Sequence, residues 1–204
     1  MNKKRGGWIL AGLLMIAVSV GIFACNLQEA KVAGKYAQTA AEGLIGDISV
    51  NSQAYESGGE ISYPDYILNP DMDMPVNEED GYSYIGIIEI PSLELELPIQ
   101  SKWSYPNMKV SPCRYEGSAY LDDLVICGHN YSTHFGTLKE LSEGESIRFT
   151  DMDGNIFSYQ VKKTEILAPD AVSDMTSGDW NLTLFTCTPG GTSRVAVRCD
   201  RTDI

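Results

Sequence analysis

The sequence predicts a mostly β protein, a closed barrel with short helices that follows an N-terminal membrane helix. Two observations carry this prediction. Residues 81–204 are a series of short β-branched or alternating runs separated by Gly and Pro turns, which favours a closed antiparallel barrel over a helical bundle. Residues 1–27 contain an apolar stretch long enough to span a bilayer. The remaining length of this 204-residue chain suits one modest domain.

The N-terminal segment is expected to anchor the protein in a membrane. Residues 1–5 contain three basic side chains, and residues 6–27 are uncharged and mostly apolar. Positive charge stays on the cytoplasmic side, so everything after residue 27 is expected outside the cell, on a single-pass anchor. A cleaved signal peptide is the alternative, because residues 22–25 loosely resemble a bacterial lipoprotein cleavage site.

A helical stalk is predicted after the anchor. The Ala-rich pattern of residues 28–46, with Val32, Tyr36 and Leu44, suits a helix. Gly46 is expected near its end, because glycine is the usual residue just past a helix C-terminus.

An acidic linker is predicted to complete the region of residues 28–80. Ser, Gly, Pro and acidic residues dominate residues 51–80. Within it, residues 66–75 mix apolar side chains with two prolines. A solvated linker is the favoured interpretation, and a segment lying over the barrel or its cleft is the alternative.

Residues 81–204 are predicted to form the folded domain. Residues 93–97 alternate leucine with glutamate and have prolines on both sides, which predicts a half-buried strand at an edge or an end. The Asp-Gly pair at residues 153–154 predicts a hairpin turn, and residues 135–141 a short helix. Strands are predicted at residues 82–90, 93–97, 124–127, 146–150, 156–167, 182–187 and 193–199.

Charge and cysteine content exclude several classes of function. The net charge is −13, which argues against nucleic acid or an anionic membrane surface as partner, because phosphate binding relies on clustered Lys and Arg. No C-x-x-C pair occurs and the chain has two histidines, so the sequence predicts no metal site and no cofactor. Most of the cysteines are expected to be small buried apolar residues. The five cysteines are Cys25, Cys113, Cys127, Cys187 and Cys199.

One thiol, one imidazole and one guanidinium are predicted to meet at strand ends. Cys187 ends a β-branched run just before a Pro-Gly-Gly turn, and the next run returns Arg194 to about the same height. His129 follows the apolar run 124–127 through a glycine. A free thiol is mostly protonated near pH 7, so it needs a neighbouring base, and a guanidinium can stabilise negative charge on oxygen.

These residues have competitors. His134 is predicted to be a loop residue, and Arg198 shares the strand face of Arg194 and is expected to pair with a carboxylate instead. The Cys127 side chain lies on the predicted face of His129, which leaves open a reversible disulfide with Cys187.

These elements resemble the sortases, bacterial surface cysteine transpeptidases. The resemblance covers residues 84–201 and is carried by Gly-His-Asn at 128–130, Thr-Leu-Phe-Thr-Cys at 183–187 and the strand of Arg194. The Ile-Pro-Ser-Leu and Leu-Pro-Ile pattern of residues 90–99 is usual near the start of the sortase barrel. The resemblance implies an eight-stranded barrel with His129, Cys187 and Arg194 as catalytic residues.

The resemblance also implies a reaction. A sorting signal of the Leu-Pro-x-Thr-Gly type on a secreted surface protein would be cut after Thr through a thioacyl intermediate on Cys187. An amine of a peptidoglycan precursor or of a pilin would then accept the protein. The connection of residues 168–180 is shorter than the helix-bearing insert of class B sortases, so a class D or housekeeping-like enzyme is preferred. An exported cysteine protease and a non-catalytic wall-associated lipoprotein are the alternatives.

Overall fold

The computed structural model describes residues 3–56 and 63–203, with side chains for residues 11–49 and 63–203, so part of the predicted linker lies outside the described residues. The helices are α1 (Lys3–Glu56), α2 (Asp65–Leu68), α3 (Tyr105–Met108) and α4 (Val172–Thr176), with 3-10 turns at Pro91–Leu93 and Leu138–Glu140. The strands are β1 (Asn77–Glu79), β2 (Tyr82–Ile90), β3 (Leu95–Gln100), β4 (Cys113–Glu116), β5 (Leu124–Gly128), β6 (Ser146–Asp151), β7 (Ile156–Leu167), β8 (Leu182–Cys187) and β9 (Arg194–Arg201).

Helix α1 is continuous over 54 residues, which corresponds to a length of about 80 Å. Its first part exposes large apolar side chains such as Leu14 and Phe23, and the stretch Ala11–Ser49 is long and apolar enough to cross a membrane. After Leu27 the pattern changes, and small side chains with helical spacing become buried against the barrel. These buried positions are Ala30, Ala33, Ala37, Ala40, Ala41 and Leu44.

The helix extends beyond its predicted end. It continues ten residues beyond Gly46, where glycine lacks tertiary neighbours within 4 Å among the described residues. A glycine inside a helix costs only about 1 kcal/mol, which a long flanking helix can absorb. Val32 and Tyr36 are exposed, because the face of the helix that packs against the barrel is formed mainly by alanines.

Eight strands, β2 to β9, form the closed barrel. The order is β1-β2-β3-β4-β5-β8-β9-β7-β6, and the additional pairing of β2 with β6 closes the sheet. Strand β1 lies outside the barrel on the first residues of β2. The barrel is mixed, because β3 pairs with β4 and β5 pairs with β8 in parallel. The expectation of a purely antiparallel barrel was therefore wrong at these two pairings.

The barrel interior is filled by alternate residues of its strands. Leu124 and Ile126 of β5, Leu182 and Leu184 of β8, and Val197 of β9 belong to the main core cluster and are fully buried. The residues between them face outward, as the two-residue period of a strand requires. This alternation decides which side chains reach the outer surface of the barrel.

Two predicted elements differ in detail. The strand predicted at residues 93–97 begins at Leu95, because a 3-10 turn and the left-handed Glu94 (φ 54°) precede it, and it extends past Pro98. Proline is tolerated inside β3 because β3 pairs with β4 only at Gln100, which leaves the other side of Pro98 outside the ladder. The short helix predicted at residues 135–141 is a single 3-10 turn, Leu138–Glu140.

Residues 66–75 pack against the barrel, contrary to the favoured interpretation of a solvated linker. The Tyr66 ring stacks on Tyr120 with centroids 4.6 Å apart, and Met74 is buried in the core. Tyr66 also contacts Phe157, at 5.3 Å between centroids. The Tyr66 and Met74 side chains therefore hold this segment against the barrel wall around Tyr120, although the segment contains two prolines.

Docking of α1 can be tested at Leu44, which is fully buried against Tyr84, Ile87 and Met152. We expect Leu44→Ala to weaken docking by about 2–4 kcal/mol, because a cavity replaces the side chain. Ile45→Ala, at a neighbouring exposed position, is the matched control. Hydrogen exchange of α1 amides in detergent should accelerate in Leu44→Ala alone; equal rates in both variants would contradict the packing described.

Candidate active site

Cys187 is the last residue of β8 and lies on the outer face of the barrel. Leu182, Leu184 and Thr186 are buried, while Phe185 and Cys187 alternate with them and are half-buried. The chain then turns through Gly190 and Gly191, both in the left-handed region (φ 83° and 73°). Cys187 is thus held at a rigid strand end beside a tight glycine turn.

Arg194 returns the chain directly opposite Cys187. The two residues are register partners in the antiparallel pair β8–β9, so their side chains share one face of the sheet. Hydrogen bonds between Thr188 and Ser193 close the turn, with the Thr188 nitrogen 3.0 Å from the Ser193 oxygen. The Arg194 guanidinium contacts only backbone carbonyls of Gly191 and Ser193 among the described residues, at 3.2 and 3.1 Å.

His129 follows β5 on the opposite side of β8. Gly128 is the parallel register partner of Thr186, so His129 and Cys187 are the residues that follow the last pair of these two neighbouring strands. The Thr186 hydroxyl also donates to the Gly128 carbonyl at 2.9 Å. A Cβ on Gly128 would lie 2.6 Å from the Phe135 ring, so only glycine fits beneath that ring. The structure therefore brings the ends of the strands carrying all three predicted residues together.

The environment of His129 favours a neutral imidazole. Burial lowers its pKa below the ordinary value of 6.5, the Lys109 ammonium lowers it further, and the Asn130 side chain and the Glu29 carboxylate oppose the shift. Its Nδ1 atom is buried and lacks a hydrogen-bond partner among the described residues. The ring stacks on Tyr131, with centroids 3.9 Å apart and an interplanar angle of 18°. A neutral ring in this position can accept a proton near pH 7.

A groove of about 160 Å³ leads to Cys187 and Arg194. Its floor includes Cys127 and Gly128 of β5. Its walls are aromatic or apolar, and they come from the β3–β4 connection, from β4 and β8, and from the connection between β7 and β8. These wall residues include Trp103, Tyr105, Tyr115, Phe185, Val172 and Met175. Sequence reasoning missed this wall, because its residues are spread over distant segments that only the barrel brings together.

Arg198 has a structural environment that differs sharply from that of Arg194. Its side chain is only 2% exposed and donates to the Glu165 carboxylate, the Met175 carbonyl and the Thr183 hydroxyl, at 2.9, 2.8 and 3.0 Å. It thereby joins β9 to β7, β8 and α4. The prediction that Arg198 pairs with a carboxylate is confirmed, and the hydrogen bonds of its guanidinium stabilise the fold.

His134 lies in the turn after β5, as predicted for a loop residue, but its side chain is not exposed. It is fully buried, and burial lowers its pKa to about 4. Interactions with the Ala33 and Val110 backbones partly oppose that shift. His134 faces Tyr131 at 5.6 Å between ring centroids and packs in the turn after β5. Its position in the interior separates it from the groove.

The remaining candidates are accounted for by packing. All five cysteines are free thiols, so no disulfide joins Cys127 to Cys187. Cys127 is buried beside its register partner Cys113, and burial raises the pKa of the Cys113 thiol to about 12. No group of three His, Cys, Asp or Glu side chains that could hold a metal ion occurs in the part of the chain that the structure describes.

Comparison with known proteins agrees with this architecture. The sequence profile of the sortase domain matches residues 88–202, more than half of the chain. The chain belongs to the sortase family. Sortase D of Bacillus subtilis (strain 168) is 33% identical over 109 residues, which are 51% of this sortase and 54% of that protein. This sortase therefore matches about half the length of that curated relative.

Solved sortase structures match a larger share of the chain. Sortase C from Clostridium perfringens SM101 is 27% identical, with 80% of this sortase and 90% of that chain covered at a TM-score of 0.52. A second structure, of Clostridium perfringens sortase C with the C-terminal cell wall sorting motif, is 25% identical over 81% of this sortase and 91% of that chain, at a TM-score of 0.53. The eight-stranded sortase barrel that the resemblance implied is confirmed.

Substitutions of Arg198 and Arg194 should have different effects on the free energy of unfolding. We expect Arg198→Met to lower the free energy of unfolding by about 2–4 kcal/mol, because Glu165 and two buried acceptors lose their donor. Arg194→Met should change it by less than about 0.5 kcal/mol, since its contacts are partly exposed carbonyls. Urea unfolding followed by circular dichroism measures both. A comparable loss in both variants would contradict the contrast between the two sites.

Proposed function

We propose that this sortase is a cysteine transpeptidase that cuts a Leu-Pro-x-Thr-Gly-like sorting signal through a thioacyl intermediate on Cys187. The observation that carries this proposal is the strand register around β8. Cys187 is the register partner of Arg194 on β9, and it follows Thr186, whose register partner on β5, Gly128, directly precedes His129.

Each side chain has a role that its chemistry allows. His129 takes the thiol proton, and the Cys187 sulfur attacks the peptide carbonyl, so that a C–S bond forms and negative charge develops on oxygen. The Arg194 guanidinium stabilises that oxyanion, since it engages no carboxylate among the described residues. The C–N bond then breaks, and His129 returns its proton to the leaving amine.

The second half-reaction regenerates the enzyme. An incoming amine attacks the thioacyl carbonyl, His129 accepts the amine proton, and the C–S bond breaks to release Cys187. We propose an amine of a peptidoglycan precursor or of a pilin as the acceptor. The lowered pKa of His129 supports this step, because a neutral imidazole is needed to take the proton of the amine.

The groove is the proposed site for the sorting signal. Its aromatic and apolar wall, including Trp103, Tyr115 and Val172, is suited to the leucine and proline of such a peptide. The related sortase C structure with a C-terminal cell wall sorting motif supports the same substrate class. Secreted surface proteins that end in a sorting signal are therefore the proposed substrates.

The membrane is the proposed location of the enzyme. The uncharged, mostly apolar stretch of α1 ends at Leu27, and burial against the barrel begins at Ala30, about 5 Å further along the helix. We propose that residues 1–27 anchor the chain as a single pass, that residues 28–80 are the stalk and its connection, and that residues 81–204 are the extracellular catalytic domain. The active site then faces the outside of the cell close to the bilayer, within reach of a membrane-bound acceptor.

A peptide assay on the full chain in detergent tests the function. Wild type should join a Leu-Pro-x-Thr-Gly peptide to triglycine, measured as ligated product by mass spectrometry. Cys187→Ala should abolish the product, and Arg194→Met should lower turnover by about 10²–10³-fold. Cys25→Ala is the matched control, because Cys25 is an exposed free thiol away from the groove.

Two outcomes would contradict the proposal. Cleavage at a rate and with products indifferent to the added amine would identify an exported cysteine protease. Absence of turnover with every sorting peptide and amine would identify a non-catalytic wall-associated protein.

A further inference from the structure

The stalk helix reaches the His129 imidazole through one side chain. Tyr131 stacks on His129 at 3.9 Å between centroids, with the rings 18° from parallel. Its hydroxyl donates to the Glu29 carboxylate of α1 at 3.2 Å. Glu29 lies two residues after Leu27, where the uncharged apolar stretch of the helix ends. A chain of two contacts therefore joins the membrane-proximal turn of α1 to the imidazole.

The loop that carries Tyr131 is held by α1 at a further point. The Thr133 hydroxyl donates to the Ala30 carbonyl at 2.9 Å. Gly34 packs so closely beneath Thr133 that a Cβ there would lie 2.8 Å from the Thr133 side chain. Because the loop follows directly from His129, these contacts restrict how far its backbone can move from the helix.

We propose that Tyr131 and Glu29 are positioning residues, which hold the His129 ring in place and couple its orientation to the docked stalk helix. This inference rests on the function proposed above, in which His129 exchanges a proton with the thiol, the leaving amine and the incoming amine. A stacked ring restricts rotation of the imidazole, and proton transfer is sensitive to that orientation. The hydrogen bond to Glu29 fixes the tyrosine that does the stacking.

Charge adds a second link between the helix and the imidazole. Of the groups that face His129, Lys109 disfavours the imidazolium, while the Glu29 carboxylate and the Asn130 side chain favour it. The His134 ring also interacts electrostatically with His129, and Cys187 and Arg194 lie on the adjacent strands β8 and β9. Removing the Glu29 charge should therefore lower the pKa of His129, because Lys109 then acts with less opposition.

Activity measurements separate stacking from simple folding. We expect Tyr131→Leu to lower kcat for transpeptidation by about 10–100-fold with little change in KM, since the ring is lost but the groove is intact. Tyr131→Phe keeps the ring and should recover most of this loss, to within about threefold of wild type. All variants are compared as full chains in detergent, with their melting temperatures measured in parallel.

A titration that needs no turnover tests the link to the helix. Two histidines make selective ¹³C-histidine labelling simple to assign, with His129→Gln as reference. In Glu29→Gln the NMR titration of His129 should move to lower pH. Glu42→Gln is the matched control, because Glu42 is an exposed carboxylate of the same helix that bonds only Gln38 within α1.

Either of two results would overturn the inference. One is a Glu29→Gln titration that coincides with that of Glu42→Gln, and the other is Tyr131→Leu activity within twofold of wild type. An enzyme inactive toward every peptide would instead remove the proposed function, and the titration would still decide whether Glu29 reaches His129.

Discussion

The pairing of β8 with its two neighbours is the constraint on which the rest of the site depends. Parallel pairing with β5 ends at Gly128 and Thr186, and antiparallel pairing with β9 ends at Cys187 and Arg194. The packed interior fixes which face each residue takes, because a shift of one residue would send core leucines outward and Cys187 inward. The backbone ladder and the core together bring the strand ends that carry His129, Cys187 and Arg194 next to one another.

The two arginines of β9 differ in environment, and so do the two histidines. Arg198, four residues from Arg194 on the same face of β9, has its donors taken up by Glu165, Met175 and Thr183. Arg194 keeps its guanidinium at the rim of the groove, near its own turn. Burial likewise keeps His134 neutral inside the fold, while His129 sits at a strand end beside Cys187.

Helix α1 is part of the same rigid framework. Its buried alanines bring the helix backbone close to the barrel, and Leu44 joins it to β2. Thr133 and Tyr131 then contact the helix just beyond its uncharged apolar stretch. The position of the loop that follows His129 is therefore tied to the docked position of α1.

Much of this could be predicted from the sequence, because the strand-end positions of Cys187, His129 and Arg194 follow from local pattern and turn residues. The parallel pairings and strand β4 could not, since they depend on contacts between segments far apart in the chain. The role proposed for Tyr131 could not be predicted from the sequence, where only its position near His129 is visible. That role depends on its hydrogen bond to Glu29, 102 residues away. The interpretation of residues 66–75 as a solvated linker was wrong. Amino-acid composition cannot show that Tyr66 has an aromatic partner, Tyr120, on the barrel.

The most direct test of the central claim is a disulfide between adjacent strand ends. Neighbouring strands lie about 4.8 Å apart, within the Cα separation that a disulfide accepts. On mild oxidation the His129→Cys variant should form a crosslink to Cys187, located by peptide mass spectrometry, whereas Ser132→Cys, on the exposed part of the loop, should not. Absence of the crosslink in His129→Cys, or equal crosslinking in both variants, would contradict the register that unites the site.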